Sequence, residues 1–237
     1  MTRIAVNGAA GRMGQRILAL ADESGEFEIT GRFDRAAAPG VTPIGSASLS
    51  GKGALIDFSS PEGTRLAGEA AAKAGWGLVV GTTGLEAPEM DALKKTAQKT
   101  AVVVSSNMSV GVNLVVELLN LLAKKIPADF DIQLSESHHI HKKDAPSGTA
   151  LMLLNAIAAS KGWDAARTQK ERARIRSIRE GEIVGDHSVL FAGPAETIEI
   201  RHHARSRDIF ARGSLVAARF AASAKPGLYS MADVLRV

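Results

Sequence analysis

Short apolar strand patterns alternate with helix patterns through residues 1–107 of the chain. The predicted strands span residues 3–6, 27–34, 54–58, 78–80 and 101–104. Helix patterns follow at residues 12–21, from Pro61 onward and at residues 88–99. Because strands without polar alternation, each followed by a helix, pack in parallel sheets covered on both faces, this pattern predicts an α/β fold.

The pattern changes after Asn107. A long apolar helix is predicted at residues 110–125, a strand at 131–136 and a helix at 147–160. Three glycine-punctuated strand patterns and a last helix follow, at residues 174–178, 188–191, 197–201 and 208–222. Hairpins and longer strands favour an antiparallel or mixed sheet, so we predict a second α+β domain at residues 108–213, enclosed by a first domain at 1–107 and 214–237.

Composition limits the classes of protein that this chain can belong to. Its 237 residues are 45% hydrophobic and carry 29 Lys+Arg against 25 Asp+Glu, a net charge of +4. There is no cysteine, which excludes disulfides and thiolate chemistry. The most apolar stretch, residues 110–123, is interrupted by polar residues and falls short of the ~20 residues needed to cross a bilayer. We therefore expect a soluble, cytoplasmic protein with no membrane partner.

Three glycines, Gly8, Gly11 and Gly14, lie at the junction of the first strand and the first helix. Glycine there permits a tight turn and close approach of a pyrophosphate to the helix N-terminus. Asp34 ends the second strand, where an acid that binds ribose hydroxyls is expected. The glycines alone fit a simple strand–helix turn, but strand, helix and acid in register favour a Rossmann-like dinucleotide-binding domain.

Other residues extend this predicted cofactor site. A carboxylate at Asp34 suits NADH, whereas the neighbouring Arg35, or Arg12, can bind the 2′-phosphate of NADPH, so both cofactors are expected. Two small polar loops, Gly81-Thr82-Thr83-Gly84 and Ser105-Ser106-Asn107-Met108, follow later strands. Both lie at the carboxyl ends of strands, where open parallel sheets bind ligands.

The residues most suited to catalysis lie in the segment 136–149, which contains three histidines and two lysines within six positions. Histidine exchanges protons near neutral pH, and lysine adds a cation or a second donor. Ser147 or Thr149 can cap the helix that follows, whose N-terminus favours anions. A metal site is disfavoured because adjacent histidines at a strand end point to opposite sides and no cysteine completes a ligand set. A solvated basic loop is the remaining alternative.

These motifs together resemble the bacterial 4-hydroxy-tetrahydrodipicolinate reductase (dihydrodipicolinate reductase) family, essentially end to end. The resemblance implies hydride transfer from NADH or NADPH to a cyclic imine dicarboxylate, in lysine and diaminopimelate biosynthesis. The most specific motifs are Val6-Asn7-Gly8-Ala9-Ala10-Gly11-Arg12-Met13-Gly14, Asp57-Phe58-Ser59, Gly81-Thr82-Thr83-Gly84, Asn107-Met108-Ser109-Val110-Gly111 and Glu136-x-His138-His139-x-x-Lys142-x-Asp144-Ala145-Pro146-Ser147-Gly148-Thr149-Ala150.

The resemblance also implies roles for individual residues. His138 matches the general acid/base and Lys142 the proton donor. The matches to groups that hold the substrate carboxylates are His139, Gly148, Thr149 and Arg207. The matches to cofactor contacts are Gly8, Ala9, Ala10, Gly11, Arg12, Met13, Asp34, Arg35, Gly81, Thr82, Thr83, Ser105, Ser106, Asn107 and Met108. Family members are tetramers assembled through the sheet of the second domain, so a homotetramer is implied.

Three positions depart from the family pattern. Asp34 stands where glutamate is expected, Ile140 where a basic residue is common and Met108 where phenylalanine is frequent.

Another two-domain NAD(P)-dependent dehydrogenase is an alternative function. Such an enzyme shares the glycine turn, but it gives no reason for the histidine–lysine segment. A redox-sensing regulator needs a DNA-reading element, which the sequence does not indicate. The basic cluster of residues 167–179 lacks the interleaved aromatics of a nucleic-acid binder and is expected on a sheet or subunit surface.

Overall fold

A seven-stranded parallel sheet forms the centre of the first part of the chain. The structure is a computed structural model that describes residues 1–236. The strands of the sheet are β1 (Thr2–Asn7), β2 (Phe27–Asp34), β3 (Thr42–Pro43), β4 (Ala54–Asp57), β5 (Gly77–Val80), β6 (Ala101–Val104) and β11 (Gly227–Tyr229). They are ordered β11-β6-β5-β4-β1-β2-β3, and every neighbouring pair is parallel. The parallel Rossmann-like sheet predicted from the sequence is confirmed.

Helices cover both faces of this sheet because its central strands are apolar on both sides. The first face packs against α1 (Arg12–Ser24) and α7 (Asp208–Ala221), and the second against α2 (Pro61–Ala74) and α3 (Ala87–Ala97). Every residue of β4 and β5 is buried. The helix predicted to open at Pro61 does so, with the Ser60 hydroxyl accepting a hydrogen bond from the Gly63 N–H at 3.1 Å.

The order of the strands places a crevice at the carboxyl ends of β1 and β4. From β1 the chain proceeds to β2 and β3 on one side, and β4, β5 and β6 then extend the sheet on the other side. Ligands of open parallel sheets bind at such a reversal. The glycine turn after β1 and the segment after β4 both lie there.

A four-stranded mixed sheet forms the second part of the chain. Its strands are β7 (Asp131–His138), β8 (Arg176–Arg179), β9 (Gly185–Ala192) and β10 (Thr197–Ala204), in the order β10-β9-β7-β8. The β7–β8 pair is parallel and the other two pairs are antiparallel. Apolar residues of α4 (Val110–Lys125) and α5 (Gly148–Lys161) pack on this sheet. The predicted mixed sheet is confirmed.

Five elements differ from the sequence-based expectations, and one of them, the two-residue strand β3, has no apolar pattern in the sequence. Helix α6 (Ala165–Ala173) was not predicted, because none of its side chains is buried and it therefore has no apolar periodicity. The strand expected at residues 174–178 is instead β8, which begins two residues later. The C-terminal tail contains β11 and the short helix α8 (Met231–Leu235).

The chain divides into two units, which we call unit 1 and unit 2. Unit 1 comprises residues 1–110 and the segment from Asp208 onward, and unit 2 comprises residues 111–207. The boundary predicted at residue 213 falls inside α7, which belongs wholly to unit 1 because it packs on α1 and β5. In the described part of the chain, no helix is long and apolar enough to cross a membrane.

Candidate functional site

The glycine turn of unit 1 is shaped by close backbone contacts. Gly8 has φ +81°, and a Cβ there would lie 2.2 Å from the Phe58 carbonyl oxygen. A Cβ on Gly14 would lie 2.1 Å from the Gly8 carbonyl oxygen. Gly11 is the N-cap of α1, which has no side-chain cap and no acidic residue in its first turn. The turn therefore leaves the positive end of α1 open to an anion.

Asp34 is tied to this turn by its carboxylate. One oxygen accepts a hydrogen bond from the Ala10 N–H at 3.0 Å, and the other accepts from the Arg35 N–H at 2.7 Å. A cavity of about 510 Å³ is lined by Gly8, Gly11, Asp34 and Arg35 together with residues after β4. The structure thus brings four predicted cofactor residues to one cavity.

The remaining predicted residues of the glycine turn differ in exposure. Ala9 is buried, and Met13 packs against the core of unit 1, whereas Ala10 and Arg12 are exposed. Since Ala9 and Met13 point inward, they can contribute only backbone groups or packing. Arg12 remains available to a phosphate.

The loop after β5 is joined to the end of β4. The Gly81 N–H donates to the Asp57 carbonyl at 2.9 Å, and the Thr82 hydroxyl donates to the Asp57 carboxylate at 2.8 Å. The same hydroxyl accepts from the Ser59 N–H at 2.9 Å. Thr83 is exposed. These bonds hold the predicted loop beside the crevice at the end of β4.

The loop after β6 folds on itself. The Ser105 hydroxyl donates to the Asn107 carbonyl at 2.8 Å, and the Asn107 side-chain oxygen accepts from the Ser109 N–H at 2.9 Å. Ser106 is exposed. Met108 is 1% exposed and belongs to the core, so its backbone is all that it can offer a ligand.

In unit 2, His138 lies at the last position of β7 and is buried. Its Nδ1 is hydrogen-bonded to the carboxylate of Glu136. Strand residues two apart share a face, which is why both side chains lie on the buried side of β7. On the other side of the ring, a Cβ on Gly185 would lie 3.0 Å from His138 Nε2, so this position admits only glycine without displacing the imidazole.

Glu136 has no exposed side-chain surface and is bound by a guanidinium. Arg179 donates to its two oxygens at 2.9 and 3.1 Å. Burial acts to raise the pKa of Glu136, but hydrogen bonds from Arg179, Ser177 and His138 outweigh burial and hold the pKa below its usual range. Glu136 is therefore an ionised carboxylate at neutral pH.

The protonation state of His138 follows from these neighbours. Burial lowers the pKa of His138, the bond to Glu136 opposes that shift, and the cations Lys142 and Arg179 add to it. The net direction is downward, so the imidazole is neutral near pH 7. With Nδ1 donating its proton to the carboxylate, Nε2 is the position that can exchange a proton.

Lys142 lies in the turn that follows β7. Its ammonium pairs with Asp144 at 2.8 Å, and its side chain is 22% exposed. Lys142 lowers the pKa of the Asp144 carboxyl. The cation is thus held in place without being removed from solvent.

The predicted substrate-binding residues gather near the same turn and at the start of α5. Arg207 Nη2 contacts His139 Nε2 at 3.2 Å. Gly148 and Thr149 form the first turn of α5, which is capped by Ser147, whose hydroxyl accepts from the Ala150 N–H at 3.1 Å. The cap is therefore Ser147 rather than Thr149.

Sequence analysis did not assign Glu136, Ser147, Gly185 or His187 to the site, and it placed Arg179 on a surface. His187 is 5% exposed, lies edge-on to the His138 ring at 5.2 Å and contacts the Ser147 hydroxyl at 3.1 Å. The one available signal was an acid two positions before His138, on the same face of a strand. Among residues 1–236, no group of three or more His, Cys, Asp or Glu side chains could hold a metal ion.

Two family models match the chain almost completely. One, described as "Dihydrodipicolinate reductase, N-terminus", matches residues 2–108, and the other, "Dihydrodipicolinate reductase, C-terminus", matches residues 111–235. Their junction falls close to the boundary between unit 1 and unit 2.

Full-length relatives and solved structures agree with these models. A 4-hydroxy-tetrahydrodipicolinate reductase of Janthinobacterium sp. is 42% identical over 98% of this chain and 97% of its own length. One from Nitrosomonas europaea is 40% identical over 98% and 97%.

Among solved structures, dipicolinate-bound dihydrodipicolinate reductase from Paenisporosarcina sp. TG-14 superposes with a TM-score of 0.80 at 21% identity, covering 97% of each chain. A diaminopimelate (DAP) dehydrogenase of C. glutamicum shares the fold more distantly, with a TM-score of 0.57 at 14% identity over 97% and 92% of the two chains. By sequence similarity along nearly its whole length, this chain belongs to the dihydrodipicolinate reductase family.

Proposed function

We propose that the chain reduces 4-hydroxy-tetrahydrodipicolinate, through its dehydrated cyclic imine, to tetrahydrodipicolinate with NADH or NADPH. Membership of the family supports the reaction and its place in lysine and diaminopimelate biosynthesis. The observation that carries the acid–base assignment is the buried, ionised Glu136 bound to both Arg179 and His138. A solvated basic loop has no reason to bury such a carboxylate.

The residues of unit 1 fit a dinucleotide. The uncapped start of α1 suits a pyrophosphate, and the close contact of Gly8 with Phe58 leaves no room for a side chain at position 8. Asp34 suits the ribose hydroxyls, and Arg35 and Arg12 are exposed and suit a 2′-phosphate. We therefore assign cofactor binding to unit 1, and substrate binding and assembly to unit 2.

When bound, NADH or NADPH supplies a hydride. The negative charge that develops on the reduced imine requires a proton. We assign its donation to Lys142, because the ion pair with Asp144 holds the lysine ammonium beside the turn after β7. His138 exchanges protons through Nε2, since Nδ1 is committed to Glu136. Each group thus has a distinct part in the transfer of protons.

The two carboxylates of the substrate are assigned to His139, Arg207, Gly148 and Thr149. Arg207 donates a hydrogen bond to His139 Nε2, and its guanidinium is exposed to solvent. The N-terminal turn of α5 adds the positive end of a helix dipole. Fixed donors of this kind hold a dianion in one orientation and so replace a random encounter by a defined geometry.

The activity is tested with purified protein and freshly synthesised 4-hydroxy-tetrahydrodipicolinate, following the loss of NADH absorbance. We expect oxidation with this substrate and none with simple keto acids. His138→Gln should reduce turnover strongly while NADH affinity, measured by calorimetry, stays at the wild-type value. Absence of turnover, or equal turnover with keto acids, contradicts the proposal and favours another two-domain dehydrogenase that acts on a small dicarboxylate or amino acid.

The charges beside the adenine-side ribose bear on cofactor choice. Asp34 and Arg35 favour NADH and NADPH respectively, and both line the same cavity. We infer that the enzyme uses both cofactors. Steady-state kcat/KM values for the two cofactors that differ by more than about 100-fold, roughly 3 kcal/mol, would show instead that one charge dominates.

We further propose that the chain assembles as a homotetramer in the cytoplasm through the mixed sheet, with neither nucleic acid nor a membrane as partner. The outer face of that sheet forms a groove lined by both polar and apolar side chains, among them Gln133, Ser188 and Leu190. Light scattering should give four times the chain mass of 24.8 kDa. A monomer mass, or salt-sensitive nanomolar binding of nucleic acid, contradicts this assignment.

A further inference from the structure

Arg179 makes more contacts than any role in substrate binding requires. The guanidinium has five N–H donors, and five acceptors surround it. Besides the two Glu136 oxygens, these are the carbonyl oxygens of Ile178 at 2.7 Å, Asp144 at 2.6 Å and Lys142 at 3.3 Å. Every donor is thus matched within the protein, and none is left over for a ligand.

These contacts join both groups assigned to proton transfer. The bond from Arg179 to Glu136 fixes the carboxylate that holds His138, and the bonds to the carbonyls of Lys142 and Asp144 fix the turn that carries the lysine. Arg179 is also the register partner of His138 in the parallel β7–β8 pair, so backbone pairing places the guanidinium there.

We propose that Arg179 is a positioning residue that holds His138, through Glu136, and Lys142, through the backbone of its turn, in one catalytic arrangement. This assignment rests on the proposed reductase function. It separates Arg179 from the exposed arginines of the basic cluster, such as Arg176 on the same strand. A lysine cannot substitute, because an ammonium has three donors at a single point and cannot reach both oxygens and the turn at once.

The arrangement has an electrostatic consequence for His138. Four groups that titrate or carry charge face the ring: Glu136 on its own strand, Lys142 in the next turn, Arg179 on β8 and His187 on β9. Loss of Arg179 removes a cation near His138, and the negative charge of Glu136 is then no longer shared with a guanidinium. The pKa of His138 should therefore rise, so that the imidazolium form persists up to a higher pH than in the wild type.

The test compares Arg179→Met and Arg179→Lys with the control Arg172→Met, an exposed arginine of the same basic cluster that does not line the groove of the mixed sheet. We expect kcat to fall about 100-fold or more in both Arg179 variants, the loss typical of displaced catalytic groups, with NADH affinity unchanged and wild-type values for the control. The acidic limb of the kcat–pH profile should move to higher pH in Arg179→Met. Wild-type kcat and pH profile in Arg179→Met, or full recovery in Arg179→Lys, would overturn the proposal.

A second readout does not depend on turnover. The pKa of His138, measured by NMR titration without substrate, should be higher in Arg179→Met than in the wild type. If the wild-type protein lacks reductase activity, the proposed function fails, whereas an unchanged His138 pKa refutes the positioning role itself. Should Arg179→Met fail to fold, Glu136→Gln provides the test, since removal of the carboxylate should lower the His138 pKa and kcat together; unchanged values overturn the proposal.

Discussion

Asp57 is a buried carboxylate on which four segments of unit 1 converge. It is 0% exposed and accepts hydrogen bonds from Asn7 at 2.7 Å, from Thr82 at 2.8 Å, and from the hydroxyls of Ser59 and Thr64. These donors belong to β1, to the segment after β4, to α2 and to the loop after β5. We predict that Asp57→Ala destabilises unit 1 by about 4 kcal/mol, for the reasons that follow.

The magnitude comes from the donors that lose their acceptor. Asn7 Nδ2 keeps two other acceptors, Ser59 Oγ at 2.9 Å and the Gly63 carbonyl at 3.3 Å. The hydroxyls of Thr64 and Thr82 depend on Asp57, and a hydrogen bond to a charged group contributes about 2 kcal/mol net. Burial raises the pKa of Asp57, against the four hydrogen bonds, so removing the charge regains part of its desolvation cost. Asp57→Asn also removes the charge but keeps one side-chain oxygen as an acceptor, so it should lose less, roughly 2 kcal/mol.

The assay is urea unfolding followed by tryptophan fluorescence. The chain has two tryptophans, of which Trp76 is fully buried in unit 1 and Trp163 lies in unit 2, so a Trp163→Phe background reports unit 1 alone. The control is Asp91→Ala, which removes an exposed acid paired with Lys94 and should leave the midpoint unchanged. An unchanged midpoint in Asp57→Ala would refute the argument, because it would mean that the four bonds contribute nothing net.

Three further predictions concern the two predicted binding regions. Gly8→Ala should weaken NADH binding at least tenfold by calorimetry, because the added Cβ would overlap the Phe58 carbonyl. The control is Gly25→Ala, at a glycine with φ +64° and open space around it, which should leave NADH binding unchanged. Gly185→Ala should lower kcat with NADH affinity intact, because the added Cβ crowds His138 Nε2; wild-type kcat would contradict this. Burial lowers the pKa of His187 to about 4, so as pH falls from 6.5 to 4 the unfolded state binds a proton that the native state does not. Unit 2 should lose about 3 kcal/mol of stability in that window, and His187→Asn should flatten the dependence; an equal slope in both proteins would disprove it.

Apolar periodicity was sufficient to predict most of the fold. Apart from β3, β11 and α8, the strands and helices of unit 1 bury continuous apolar runs or faces, and their predicted positions agree with the structure within a few residues. Helix α6 was not predicted, because all its side chains remain accessible and it has no apolar face. Its N-cap is Asp164, whose carboxylate accepts a hydrogen bond from the Arg167 N–H at 2.7 Å. Strand β11 has three residues and owes its place to pairing with β6, a distant segment of chain.

The candidate site shows a sharper limit of sequence reasoning. Local spacing places Glu136 beside His138, because residues two apart on a strand share a face. No local spacing identifies the partner of Glu136, since Arg179 lies 43 positions away within a run of similar basic residues. What distinguishes Arg179 from Arg176 is the register of β7 against β8, which pairs it with His138. Because register depends on the packing of the whole sheet, the functional identity of this arginine is a tertiary property, although its chemistry is entirely that of one side chain.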